Sequence, residues 1–107
     1  MGSICCIELN EFTATESLAR EYGFNTTIPI RGKILTFVTI VERITTNKTV
    51  LILNDGHEYL IKSELPCTFI KNDQVHVLYT DNVDIDGNPY RCIRQIYNTE
   101  NNILFMI

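Results

Sequence analysis

The sequence predicts a mainly β protein: a small closed barrel of five strands led in by a short helix. Three observations carry this. Runs rich in Ile, Val, Thr, Phe and Tyr, which suit a pleated, half-buried surface, recur from residue 28 to residue 97. Two turn clusters, Asp55-Gly56 and Asp84-Ile85-Asp86-Gly87-Asn88-Pro89, fold neighbouring runs into hairpins. Five short strands in an open sheet would leave two sticky edges, and closure removes them. The 107 residues, 45% apolar and 21% charged, are enough for one modest core and have ordinary globular composition.

The elements follow in order. Ile4–Leu9 is a short apolar run with strand character. Thr13-Ala14-Thr15-Glu16 matches a capping box, Leu18, Ala19 and Tyr22 follow at helical spacing, and Gly23 can stop the turn. A short helix near 14–22 is therefore expected. Residues 28–44 read as one long strand, and Gly32 inside it is the expected bend. Residues 49–54 and 57–62 form a hairpin about Asp55-Gly56. Residues 63–73, with Pro66, are a connector too irregular for a full helix. Residues 74–80 and 90–97 form the next hairpin, and Ile103–Ile107 is a terminal apolar strand. We divide the chain into an appendage, 1–27, and a barrel, 28–107.

Charge and cysteines narrow the function. Nine basic against thirteen acidic residues give a net charge of −4. Residues 28–97 are balanced, and the surplus acid lies outside them. Strong sequence-independent nucleic-acid affinity scales with the phosphates neutralised, so it is not expected. Cys5, Cys6, Cys67 and Cys92 form no Cys-x-x-Cys pair, so no zinc site is expected and the thiols read as reduced. With no secretory signal and no apolar run of membrane-spanning length, an intracellular place, nuclear or cytoplasmic, is expected. Met1-Gly2-Ser3-Ile4-Cys5-Cys6 is an imperfect match to an acylated start.

No catalytic constellation is present. His57 and His76 have no recognisable partner, no serine stands in a nucleophile elbow, and there is no phosphate loop. Asn82-x-Asp84-x-Asp86-Gly87 opens like a calcium loop, but Ile93 stands where a bidentate Glu is required. An enzyme, a metal and a cofactor are not expected.

One long bent strand, a hairpin, a connector and a second hairpin make the OB-like order. An SH3-like barrel or a two-sheet sandwich would use similar strands. Ile30-Arg31-Gly32-Lys33-Ile34, followed by Val50-Leu51-Ile52-Leu53-Asn54-Asp55-Gly56, resembles the first three strands of small OB subunits in single-stranded-DNA-binding complexes. These are the smallest subunit of replication protein A and that of the CST telomere-capping complex. The resemblance spans residues 13–97. The terminal Ile103–Ile107 departs from it, because those subunits end in an assembly helix. The resemblance implies a non-catalytic accessory subunit acting mainly by protein contacts. Its partner would be a larger OB-fold or polymerase-type subunit, with weak contact to single-stranded DNA or RNA. The alternative is a small β-barrel adaptor or inhibitor with no nucleic-acid role.

OB barrels hold single strands by stacking bases on aromatics and lining the backbone with Lys and Arg. The candidate nucleic-acid residues are Arg31, Lys33, Tyr59, Lys62, Arg91, Arg94 and Tyr97, with Phe37, Tyr79 and Tyr90 as further aromatics. Simple alternation puts Tyr90, Cys92, Arg94 and Ile96 on one side of the last barrel strand, and Arg91, Ile93, Gln95 and Tyr97 on the other. Ile103, Leu104, Phe105 and Met106 are the candidate partner-binding residues, since an exposed apolar strand invites pairing.

Overall fold

The computed structural model describes residues 10–107. The strand expected over Ile4–Leu9 and the acylation reading of the start lie outside them. The elements are β1 (Asn10–Thr13), α1 (Glu16–Glu21), β2 (Lys33–Thr45), β3 (Thr49–Leu53), β4 (Glu58–Ile61), β5 (Gln74–Val83), β6 (Pro89–Asn98) and β7 (Ile103–Met106). β2 pairs β3, β3 pairs β4, β4 pairs β6, β6 pairs β5, and β5 returns to β2. Only the β4–β6 contact is parallel. This is the five-stranded, OB-like closed barrel. β1 adds to the first residues of β2, and β7 to the last residues of β6.

Closure depends on β2 serving two partners. Its first half pairs β5 and its second half pairs β3. The bend was expected at Gly32, but Gly32 precedes the strand. The chain turns instead at two register shifts, between Leu35 and Val38 against β5 and between Ile40 and Glu42 against β3. At the first, Phe37 takes φ 54°, a left-handed conformation rare for a bulky residue, within the bulge. Gly32 has a different task. Its φ is +98°, and a Cβ there would lie 2.2 Å from the Tyr79 carbonyl oxygen, so only glycine allows the two backbones to approach.

The barrel is filled by inward residues of all five strands, including Leu35, Leu51, Tyr59, Val77, Tyr79 and Ile96. The connector 63–73 forms no helix; its Leu65 and Phe69 enter this core, and Ile103 and Phe105 of β7 pack against it. Arg43 secures the connector by donating to the carbonyls of Leu65, Pro66 and Phe69 at 2.6–2.9 Å.

A second cluster lies outside the barrel wall. Ala19 and Phe24 pack on Ile34 and Leu78, joined by Leu18, Tyr22, Tyr97 and Leu104. α1 begins later than the capping box implied. Thr15, not Thr13, is the N-cap, its Oγ1 accepting from the Leu18 N–H at 3.2 Å, while Thr13 belongs to β1. The Gln95 side chain holds the next segment, accepting from the Asn25 N–H at 2.8 Å and donating to its carbonyl at 3.0 Å.

Candidate binding face

The outer wall of β3, β4 and β6 carries a cavity and is the candidate binding face. Its composition follows from strand alternation. Leu51, Leu53, Tyr59 and Ile61 point inward, so Val50, Ile52, Glu58 and Leu60 point outward. Register aligns Ile44, Val50, Leu60 and Cys92 in one apolar row across four strands. Glu42, Ile52 and Glu58 form the neighbouring row.

A cavity of about 370 Å³ opens on this wall, lined by Lys48, Val50, Glu58, Leu60, Asp84, Tyr90 and Arg91. Lys48 comes from the β2–β3 turn and Asp84 from the β5–β6 turn, so two loops flank the sheet. Tyr90, one of the cavity's lining residues, is half-buried. Its hydroxyl accepts from Lys62 Nζ at 3.0 Å, and that bond raises the Lys62 pKa above its usual value. Among the described residues, Lys48 and Lys62 have no carboxylate partner. Glu58 and Asp84 supply the opposite charge on the same wall. The Asp84 carboxylate is engaged in its own turn, accepting from the N–H groups of Asp86 at 2.9 Å and Asn88 at 2.8 Å. No cluster of three or more metal-ligating side chains exists among the described residues.

Beside the cavity, Arg91 belongs to a buried network. Its guanidinium lies 4.9 Å from the Tyr79 ring centroid and 5.4 Å from that of Tyr59. It donates to the Tyr59 hydroxyl at 2.6 Å and pairs with Asp55 at 3.5 Å and Asp81 at 3.8 Å. Tyr59 in turn donates to Asp55, whose side chain is 2% exposed. Tyr79 donates to Glu11 at 3.0 Å. Burial, then the bonds to Asp55 and Glu11, push both phenols far above the ordinary tyrosine range.

The expected site residues therefore separate. Tyr59 is fully buried and offers no face for stacking. Arg91 is committed to Asp55 and Asp81, and Lys33 stands between Asp81 at 3.6 Å and Glu11 at 4.0 Å. Tyr97 packs under Gly23 and beside His76, its hydroxyl donating to Asn102. Lys62 remains on the candidate face, and Arg31 and Arg94 meet in a cavity elsewhere. Ile103, Leu104, Phe105 and Met106 are half-buried along β6, with Ile103 and Phe105 on the barrel core and Leu104 on the second cluster. Those three side chains pack within the chain itself. The alternation assumed for β6 is also corrected. A register shift opposite Leu78 and Tyr79 puts Ile96 inward with Ile93, and Gln95 and Tyr97 outward.

Lys48, Val50 and Leu60 were missing from the sequence-based set, and Tyr90 appeared there only as a further aromatic. The outward phase of Thr49–Leu53 and Glu58–Ile61 was the signal that could have found Val50 and Leu60, whereas Lys48 lies in the turn before β3. No helix among the described residues is long and apolar enough to cross a membrane. Comparison with protein-family models, with curated proteins and with solved structures finds no match.

Proposed function

We propose that this chain is a non-catalytic OB-fold accessory subunit of a complex that handles single-stranded nucleic acid. It contributes protein contacts and a weak nucleic-acid contact on the β3–β4–β6 wall. The observation that carries the reading is the loop-flanked cavity on an OB-like barrel, lined by Tyr90 and Lys48, with Lys62 bonded to the Tyr90 hydroxyl and neither lysine given a carboxylate partner among the described residues. The net charge of −4 and the acidic neighbours Glu58 and Asp84 keep that contact weak. Two lysines neutralising two phosphates give a slope of about −1.4 in log affinity against log salt for a single strand. Titration of labelled oligothymidylate and oligouridylate between about 50 and 200 mM salt measures it. Tyr90→Ala should weaken binding about tenfold, the loss of one stacked base. A nuclease-treated pull-down should recover a larger OB-fold or polymerase-type subunit. Absence of oligonucleotide binding at low salt, or indifference to Tyr90→Ala, rejects the nucleic-acid contact.

The adaptor reading has its own observation. Ile44, Val50 and Leu60 form an apolar row on this wall, and Val83 and Ile85 stand 67% and 99% exposed on the β5–β6 hairpin. Apolar surface of this kind fits a protein partner. Recovery of a partner that binds without nucleic acid, and is lost on Leu60→Glu, would favour it.

A further inference from the structure

Of the five arginines, three have partners within the chain. Arg20 pairs with Glu16, Arg43 holds the connector carbonyls, and Arg91 lies in the tyrosine network. Arg31 and Arg94 have none among the described residues, and they line the same two adjoining cavities. Two unneutralised guanidinium groups at one place repel each other and call for an anion.

The backbone explains why they meet. Arg31 lies in the segment just before β2, beside Gly32, whose close approach to the Tyr79 carbonyl anchors that segment on β5. Arg94 lies at the register shift of β6, as the one residue between Ile93 and Gln95, the partners of Tyr79 and Leu78. Irregularities of this kind re-aim side chains.

We propose that Arg31 and Arg94 form a binding site for a phosphoryl group. One cavity, about 300 Å³, adds Thr80 and Asn82 to the two arginines. Thr80 Oγ1 donates to Asn82 Oδ1 at 2.7 Å, which leaves the Asn82 amide N–H groups as donors without a partner among the described residues. Asp81 also lines this cavity, but its carboxylate already faces Lys33 at 3.6 Å and Arg91 at 3.8 Å. The other cavity, about 290 Å³, adds Gln95, Ile107, whose N–H donates to the Arg94 carbonyl at 3.0 Å, and the apolar Ile28, Pro29 and Leu78, against which the body of a phosphate ester would rest. Phosphate is favoured over carboxylate by donor count. One guanidinium fork saturates a carboxylate, whereas two forks match the three oxygens and double charge of a phosphate monoester. Neither arginine lines the Tyr90 cavity, although the Arg94 charge reaches Lys62 beside it, and the proposal does not rest on the function proposed for that cavity.

The test is titration of the ¹⁵N-labelled chain with inorganic phosphate, read on the arginine Nε–Hε signals, against chloride at matched ionic strength. Saturable shifts at Arg31 and Arg94 are expected. Arg31→Gln and Arg94→Gln should each weaken phosphate binding about tenfold or more, the loss of charge-assisted hydrogen bonds. Adding oligothymidylate then distinguishes the source. Displacement of phosphate from both arginines identifies the group as a nucleic-acid backbone phosphate; no displacement identifies it as that of a small phosphate ester. Shifts in the wild type that match chloride, or glutamine variants that bind as tightly as the wild type, overturn the proposal. The wild-type titration decides the matter even if a variant fails to fold.

Discussion

Arg91 lies between two tyrosine rings and two carboxylates, and this placement decides what its charge does. The sequence presents Arg91 and Arg94 three residues apart, equally plausible as backbone clamps. Their difference lies in long-range partners, Asp55 from the β3–β4 hairpin and Asp81 from β5, which no local spacing displays. Lys62, which donates to the Tyr90 hydroxyl and has no carboxylate partner among the described residues, keeps a charge available to a ligand. Removing Arg91 leaves the nearly inaccessible Asp55 carboxylate without its counter-ion, the costly way to break a buried pair. Arg91→Met should therefore lower the unfolding free energy by about 3 kcal/mol, measured by urea denaturation. A loss under about 0.5 kcal/mol would class the pair with solvent-exposed ion pairs.

At the scale of elements, β2 to β7 were legible because composition and turn residues act locally, whereas β1, over Asn10–Thr13, was not expected as a strand. Strand irregularities were not legible either. The sequence marked Gly32 as the bend of β2, yet the shift falls at Phe37, held by a contact from the neighbouring strand. The Phe37 N–H donates to His76 Nδ1 at 3.0 Å, and the ring packs edge-on against the imidazole at 4.7 Å between centroids. Tyr22 and Tyr97 enclose the same imidazole. Nδ1 can accept only while it carries no proton. Burial lowers the His76 pKa below its ordinary 6.5. The unfolded chain thus binds more protons than the folded chain as pH falls through 6.5, so stability must rise with pH in that window. His76 contributes fully above 6.5, and its contribution fades as pH drops toward the lowered folded value. Thermal unfolding of wild type against His76→Gln, stepped from neutral pH to below 6.5, should show their difference in stability varying with pH. A difference independent of pH would mean that His76 does not titrate with folding.

For the whole molecule, the division at residue 27 becomes a question of cooperativity. The composition of residues 1–27 differs from that of the barrel, and that made an appendage legible. Its attachment was not legible, because it uses contacts distant in sequence. Phe24 is 5% exposed against Ile34 and Leu78, the Gln95 amide grips Asn25 from both sides, and a Cβ on Gly23 would lie 3.1 Å from the Tyr97 ring. β2, β5, β6 and β7 thus carry the barrel core on one face and the second cluster on the other. Elements shared between two cores couple them, since neither can be lost without exposing the other's backing. Single domains of this size unfold in one transition when coupled in this way. Phe69→Ala empties the barrel core and Phe24→Ala the outer cluster, and each should cost about 3–5 kcal/mol. Both should shift one common transition, followed in parallel by far-ultraviolet circular dichroism and tyrosine fluorescence. Two separated transitions in Phe24→Ala would instead show that the outer cluster melts by itself and that the barrel alone is the cooperative unit.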